Sequence, residues 1–99
     1  MFDKAKKMWE LQGKARQLQK ELREMEFTGE ELGGKVKVTL SGEQKVVAIE
    51  IDDSLMDIGE KASLIKFLGQ AFSSAAKKAQ QAAANRTKEL IGGLGIPGL

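Results

Sequence analysis

Apolar positions change their period twice along this chain. Met8, Leu11, Ala15, Leu18, Leu22 and Met25 recur at steps of 3-4-3-4-3, with charged and amide residues between them. That two-in-seven stripe predicts a helix over residues 3–25, roughly 35 Å long. It is narrower than the face of a helix buried in a globular core, so it calls for one long partner helix. From Val36 the period falls to two. Val36, Val38 and Leu40 alternate with Lys35, Lys37 and Thr39; after a Ser41-Gly42-Glu43 turn, Val47, Ile49 and Ile51 alternate with Ala48, Glu50 and Asp52. Two half-buried antiparallel strands follow from that alternation. Glu26-Phe27-Thr28 is a candidate third strand, paired through a Gly33-Gly34 turn.

Asp57 three residues before Glu60 is a capping-box arrangement and sets the start of a second helix. Ile65, Leu68, Phe72, Ala75, Ala79, Ala82 (or Ala83), Arg86 and Leu90 then hold a 3/4 spacing, predicting a helix of roughly 45 Å. Its first half carries the large apolar residues and belongs on the sheet, with Phe72 in the core. Its second half is an alanine stripe that admits close approach of another helix, and the first helix is the natural partner. Gly92-Gly93 ends it. Residues 1–91 therefore read as one helix–sheet–helix domain and 92–99 as a flexible Gly/Pro tail. The fold class is α+β: an N-terminal helix, a three-stranded antiparallel sheet and a long C-terminal helix.

A chain of 99 residues buries about two thirds of its unfolded surface. Eight alanines between Ala62 and Ala84 supply little of that area, which argues for a second copy. A homodimer is expected, with Val36, Val38, Leu40, Val47, Ile49, Ile51 and Phe72 forming the core and dimer set.

Cysteine, histidine and tyrosine are absent. Disulfides and thiolate metal sites are thereby excluded, and the commonest general base and transition-metal ligand are missing. Asp52, Asp53 and Asp57 form the one acidic cluster, and capping explains it more cheaply than a cation site. No enzyme, cofactor, metal or small-molecule substrate is expected. No apolar run approaches the ~18–20 residues that span a bilayer, and Met1-Phe2-Asp3-Lys4 opens no signal peptide, so the cytosol is the expected compartment. Gly93-Leu94-Gly95-Ile96-Pro97-Gly98 fits a dinucleotide fingerprint but lacks the strand before it and the helix after it. Asn85-Arg86-Thr87 fits a glycosylation acceptor, without consequence in an unexported helix.

Charge changes the picture most. Residues 1–20 carry six basic and two acidic groups (+4), residues 21–60 four and eleven (−7), and residues 61–99 six and one (+5), summing to the net +2. Two basic helices thus flank an acidic sheet. Some of the cations have local partners, since Glu10 reaches Lys6 and Lys14, and Lys20 reaches Glu24, at four-residue spacing. The last helix has only Glu89 against its cations. Such a layout points to a polyanion held by the helices and kept off the sheet, with nucleic acid the leading candidate. The contact candidates are Lys4, Lys6, Lys7, Lys14, Arg16, Lys20, Lys77, Lys78, Arg86 and Lys88. Lysine outnumbers arginine thirteen to three, which favours phosphate contact over base reading. Trp9, one residue past a seam position, is expected to pack against the neighbouring helix or Phe2.

Val36-x-Val38, the Ser41-Gly42 turn, Ile49-Glu50-Ile51-Asp52 followed by Ser54-Leu55, and Ala71-Phe72 leading into Ala75-Ala76-Lys77-Lys78 resemble the YbaB/EbfC nucleoid-associated proteins. So do the heptad first helix, Thr28-Gly29 and the Gly/Pro-rich tail. The resemblance implies a bacterial helix–three strands–helix protein that dimerises through its sheets. It also implies that paired helices project as arms and contact DNA in the nucleoid, sometimes bending it and affecting transcription. Lys77 and Lys78 match a basic pair common in the family. Ser73-Ser74 departs from a frequent Asn-Asp, and Asp53 from a frequent proline. A rival reading is a protein-interaction or chaperone-like module, a replication or repair accessory, that grips a partner protein through the apolar seam and alanine stripe.

Overall fold

The structure is a computed structural model that describes residues 2–92, without the Phe2 side chain. Its elements are α1 (Phe2–Glu24), β1 (Glu26–Glu31), β2 (Val36–Ser41), β3 (Val46–Ile51) and α2 (Lys61–Gly92), with 3-10 turns at Leu32–Gly34, Asp53–Leu55 and Ile58–Glu60. The expected element order holds. The Gly93 stop, the tail from Gly93 onward and its fingerprint match lie outside the described residues.

The strands form one antiparallel sheet in the order β1-β2-β3. β1 pairs with β2 through Phe27↔Leu40 and Gly29↔Val38, and β2 with β3 through Val36↔Ile51 and Val38↔Ile49. Thr39 then pairs with Ala48 but Leu40 with Val46, leaving Val47 as the extra residue of a β-bulge. Strict alternation placed Val47 on the inner face; the bulge removes it from that series.

Val36, Val38 and Leu40 are fully buried beneath α2, packed with Leu55, Ala71 and Ala75. Each buried Val or Leu side chain is worth about 1.5–3 kcal/mol. The helix lies this close because of Gly29. A Cβ there would stand 1.9 Å from the carbonyl oxygen of Ala71 and 2.9 Å from the amide nitrogen of Ala75. The inner face of α2 is therefore Leu64, Leu68, Ala71 and Ala75: Leu68 and Ala75 lie on the expected stripe, while Leu64 and Ala71 take the places expected of Ile65 and Phe72. Phe72, expected in the core, is 44% exposed: a helix pressed onto a glycine takes alanine at the contact and turns the phenyl ring aside.

α2 covers β1 and β2 but not β3. Val47 and Ile49 are consequently 51% and 50% exposed, although both were expected to be buried. They lie outside the core of the single chain, on an edge strand with no helix above it.

Length decides the rest. A six-residue strand spans about 20 Å, whereas the 32 residues of α2 span about 48 Å. More than half of the helix has no sheet beneath it, and α1 packs there instead. The molecule measures 67 × 22 × 17 Å with a radius of gyration of 18.8 Å, against about 13 Å for a compact chain of this size. Sheet and arm are joined at Gly42, whose N–H donates to the carbonyls of Leu22 (2.8 Å) and Met25 (3.2 Å) at the end of α1.

Candidate nucleic-acid interface

The arm is an antiparallel pair. Leu11, Lys14, Ala15 and Leu18 of α1 face Thr87, Leu90 and Ile91 of α2 across a mainly apolar groove of about 320 Å³. Leu90 and Ala79 are buried, so the seam expected from the heptad spacing is present from Leu11 onward. Met8, also on that seam, is 62% exposed, because the facing residues of α2 lie opposite Leu11–Leu18. Trp9 is 75% exposed. The expected packing against the neighbouring helix is absent, the alternative partner, the Phe2 side chain, lies outside the described residues, and the reason for the first is angular. At about 100° per residue, position 9 lies on the far side of α1 from Leu11 and Leu18.

The ten candidate cations separate by what they touch. Arg86 is committed within the protein. Its Nε donates to Glu21 Oε2 at 2.6 Å, its Nη2 to Glu21 Oε1 at 3.0 Å, and its Nη1 to Glu89 Oε2 at 2.9 Å. This bidentate clamp ties α2 to α1 across 65 residues of sequence. Lys78 donates from Nζ to the backbone carbonyl of Thr28 at 2.7 Å, which binds α2 to the outer edge of β1. Lys14 is half-buried beside the apolar groove. Lys4 and Lys7 are exposed near the start of α1.

The remaining five fall on two lines. Lys6, Arg16 and Lys20 are all exposed, share the outward face of α1 opposite the seam, and have no ion-pair partner among the described residues. Lys77 and Lys88 are exposed on α2, and Lys66 stands in line with them. Steps of eleven residues are close to three whole turns, setting neighbours about 16 Å apart. Lys66, Lys77, Gln70, Ser73 and Gln81 line an open groove of about 690 Å³ along this face. Lys66 was missed as a contact candidate. The 66-77-88 spacing was its only signal, and it is weak until the core face of α2 is known. The local pairs expected of Glu10 with Lys6 and Lys14, and of Lys20 with Glu24, do not form, which leaves these charges to solvent.

The carboxylates elsewhere have structural work. Asp52 accepts from the backbone N–H of Ser54 at 2.9 Å and Asp57 from that of Gly59 at 3.5 Å, so both cap short turns. Hydrogen bonds from Ser54, the side chain first and the backbone second, hold the Asp52 carboxyl below its usual range. Lys37 of β2 lies 3.8 Å from Glu30 of β1 on the outer sheet face.

The Arg86 clamp has a pH signature. Hydrogen bonding to Arg86 outweighs partial desolvation and holds the Glu21 carboxyl at about 2, from an ordinary 4.5; the Arg86 guanidinium is pushed up in turn. A depressed carboxylate stabilises the fold fully above its unfolded value, and that contribution fades as pH falls from about 4.5 through about 2. Amide protection factors in α1, which normalise for the intrinsic pH dependence of exchange, should therefore fall further across that acid window in the natural protein than in Glu21→Gln. Matching profiles for the two proteins would mean the clamp does not hold the arm.

Basic outward faces on paired projecting helices, carried by a small three-stranded sheet, define a class of elongated α+β protein built to present charge away from its core. The chain belongs to the YbaB/EbfC DNA-binding family, whose model matches residues 1–94. It is 38% identical over 90 residues to a nucleoid-associated protein of Afipia carboxidovorans, covering 91% of this chain and 86% of that one. A nucleoid-associated protein of Rhodopseudomonas palustris is 39% identical over 88 residues, covering 89% and 83%. Among solved structures, an uncharacterized protein from Helicobacter pylori matches with a TM-score of 0.67 at 25% identity, over 76% of this chain and 87% of that one. Among the described residues, no helix is long and apolar enough to cross a membrane.

Proposed function

We propose that this protein is a nucleoid-associated DNA-binding protein that acts as a homodimer and catalyses no reaction, its helical arms holding duplex phosphates with little base specificity. The observation that carries the reading is the pair of exposed lines without ion-pair partners among the described residues, Lys6–Arg16–Lys20 on the arm and Lys66–Lys77–Lys88 running along the outer face of α2 from above the sheet onto the arm. Lys4, Lys7 and Lys14 add to the field near the arm's end. Binding of this kind would place the protein in the cytoplasmic nucleoid, where arms from two copies, engaging one duplex together, would bend DNA and influence transcription.

The dimer rests on exposed apolar surface. β3 is an edge strand with Val46, Val47 and Ile49 half-exposed, and Ile65 and Phe72 are exposed on α2. Phe72 and Lys78 are six residues apart, a rotation of about 120° on the helix. Since Lys78 reaches β1, Phe72 lies on the opposite flank, toward β3. A bare apolar edge strand beside an apolar helix flank is an aggregation hazard unless covered. A second copy related by a two-fold axis covers both at once.

Light scattering and fluorescence anisotropy with a labelled random duplex, repeated across salt concentrations, test the reading together. The expected result is a dimer whose log affinity falls with log salt at a slope of about −5, for six phosphate contacts per dimer. A dimer that ignores DNA at low salt, or binds with little salt dependence, would sink the phosphate mechanism. It would favour a module gripping a partner protein along the apolar groove between α1 and α2 of the arm.

A further inference from the structure

The geometry points to a second kind of contact on the same arm: Trp9 is a base-contacting residue that stacks on an unstacked or kinked base of the bound nucleic acid while the neighbouring cations hold the flanking phosphates. This deepens the reading above and rests on it. Three observations on α1 converge. The first is the exposed indole, 75% accessible and on the side of the helix facing away from the seam. Among the described residues, nothing in the fold of one chain uses it.

The second is its company. Lys6, Trp9, Gly13, Arg16 and Lys20 follow one another at steps of 3-4-3-4, so they share a face, and all are exposed. From Lys6 to Lys20 the face runs about 21 Å, the length of roughly six nucleotides at ~3.4 Å per strand. An aromatic ring set among cations along a line of that length matches the pairing of stacking platform and electrostatic track used to hold nucleic acid.

The third is Gly13. Glycine is the poorest helix former after proline, and a Cβ at this position would meet nothing within 4 Å. No contact among the described residues requires the glycine. Its effect is a bare notch one turn from Trp9, where a backbone or sugar approaches the helix beside the ring.

Other occupants fit less well. A helix lying in a membrane interface presents a broad apolar face, and among the described side chains this face has one large apolar group between charges. A second copy docking by two-fold symmetry would oppose Lys6 and Arg16 of each chain, like charge against like. Nucleic acid complements both the ring and the cations.

Trp9 is the sole tryptophan, so its emission reports this contact alone. The test compares a perfect duplex with the same duplex carrying a short central mismatch bubble, following label anisotropy and tryptophan emission in one titration. Expected are quenching of Trp9 on binding, tighter binding of the bubble, and roughly tenfold weaker bubble binding by Trp9→Ala, within the range for loss of one stacked base. Trp9→Phe should retain most of the affinity. The salt slope should not change in Trp9→Ala, because the indole displaces no counterion. Circular dichroism should match the natural protein, the site being exposed. Duplex binding with unaltered emission and full affinity in Trp9→Ala would overturn the inference and leave the phosphate reading standing. Failure to bind either DNA at low salt would overturn both. A blue shift with anionic vesicles but no response to DNA would also overturn it, reassigning the face to lipid.

Discussion

Gly29→Ala is expected to lower the melting temperature by about 12–24 °C. The added methyl would fall 1.9 Å from the Ala71 carbonyl oxygen and 2.9 Å from the Ala75 amide nitrogen, both backbone atoms of α2 that cannot swing aside. Relief requires the helix to lift from the sheet, and every contact to Val36, Val38 and Leu40 opens as it does. Overpacking a core typically costs about 1–3 kcal/mol and occasionally more. A rigid obstacle places this case at the upper end, about 3 kcal/mol, and each kcal/mol shifts the melting point by ~4–8 °C at this size. The contrast is Gly13→Ala, where the methyl meets nothing and helix propensity alone should stabilise by up to about 1 kcal/mol. A Gly29→Ala protein melting within a few degrees of the natural one would show that the close helix–sheet approach is not what holds α2 down.

The other large effect is on binding. Lys6, Arg16, Lys20, Lys66, Lys77 and Lys88 changed together to glutamine should abolish DNA binding, with a salt slope near zero. Counterion release from six contacts contributes about five orders of magnitude of affinity at 0.1 M salt relative to 1 M. The six changes also take the net charge from +2 to −4, so the remaining field repels the duplex. Folding should survive, since all six positions are exposed, glutamine matches lysine and arginine in helix propensity, and surface substitutions usually move stability by about 0.5 kcal/mol or less. Split into the α1 and α2 triplets, each set should remove about half of the slope. A triplet that leaves the slope unchanged would show that its line does not touch phosphate.

Much of the architecture is written in local period. The 3-4 seam and the period-2 strands are each decided within a dozen residues, and the structure follows them; the expected capping box does not form, because Asp57 caps a 3-10 turn over Ile58–Glu60 and α2 itself opens at Lys61. What the sequence hides is long-range. Two apolar stripes run side by side on α2, and periodicity cannot choose between Ala71–Ala75 and Phe72. Side-chain size favours the phenylalanine, and only the approach of Gly29 reverses the choice. The bulge at Val47 shifts register without disturbing the alternation that precedes it. Arg86 read as a free cation because Glu21, its partner, stands 65 positions away. Trp9 sits one residue from the seam in sequence yet on the opposite side of the helix in space. The candidate contacts were legible as a charge layout, and their sorting into committed and free groups needed the fold.

The Lys78 hydrogen bond bears on a different matter, the stoichiometry of assembly. A sheet with two open margins can add copies on either side, head to tail, and has no reason to stop. Here the margin along β1 is guarded at one point: an ammonium group sits on the Thr28 carbonyl, and α2 is pressed down beside it at Gly29. In the dimer proposed above, the β3 margin would recruit the second chain, and one such pairing would use it up in both partners. A protein carrying fixed positive charge on long arms needs that terminus, because an unlimited ribbon of such arms would condense DNA into an aggregate. One guarded margin is enough to keep the assembly countable.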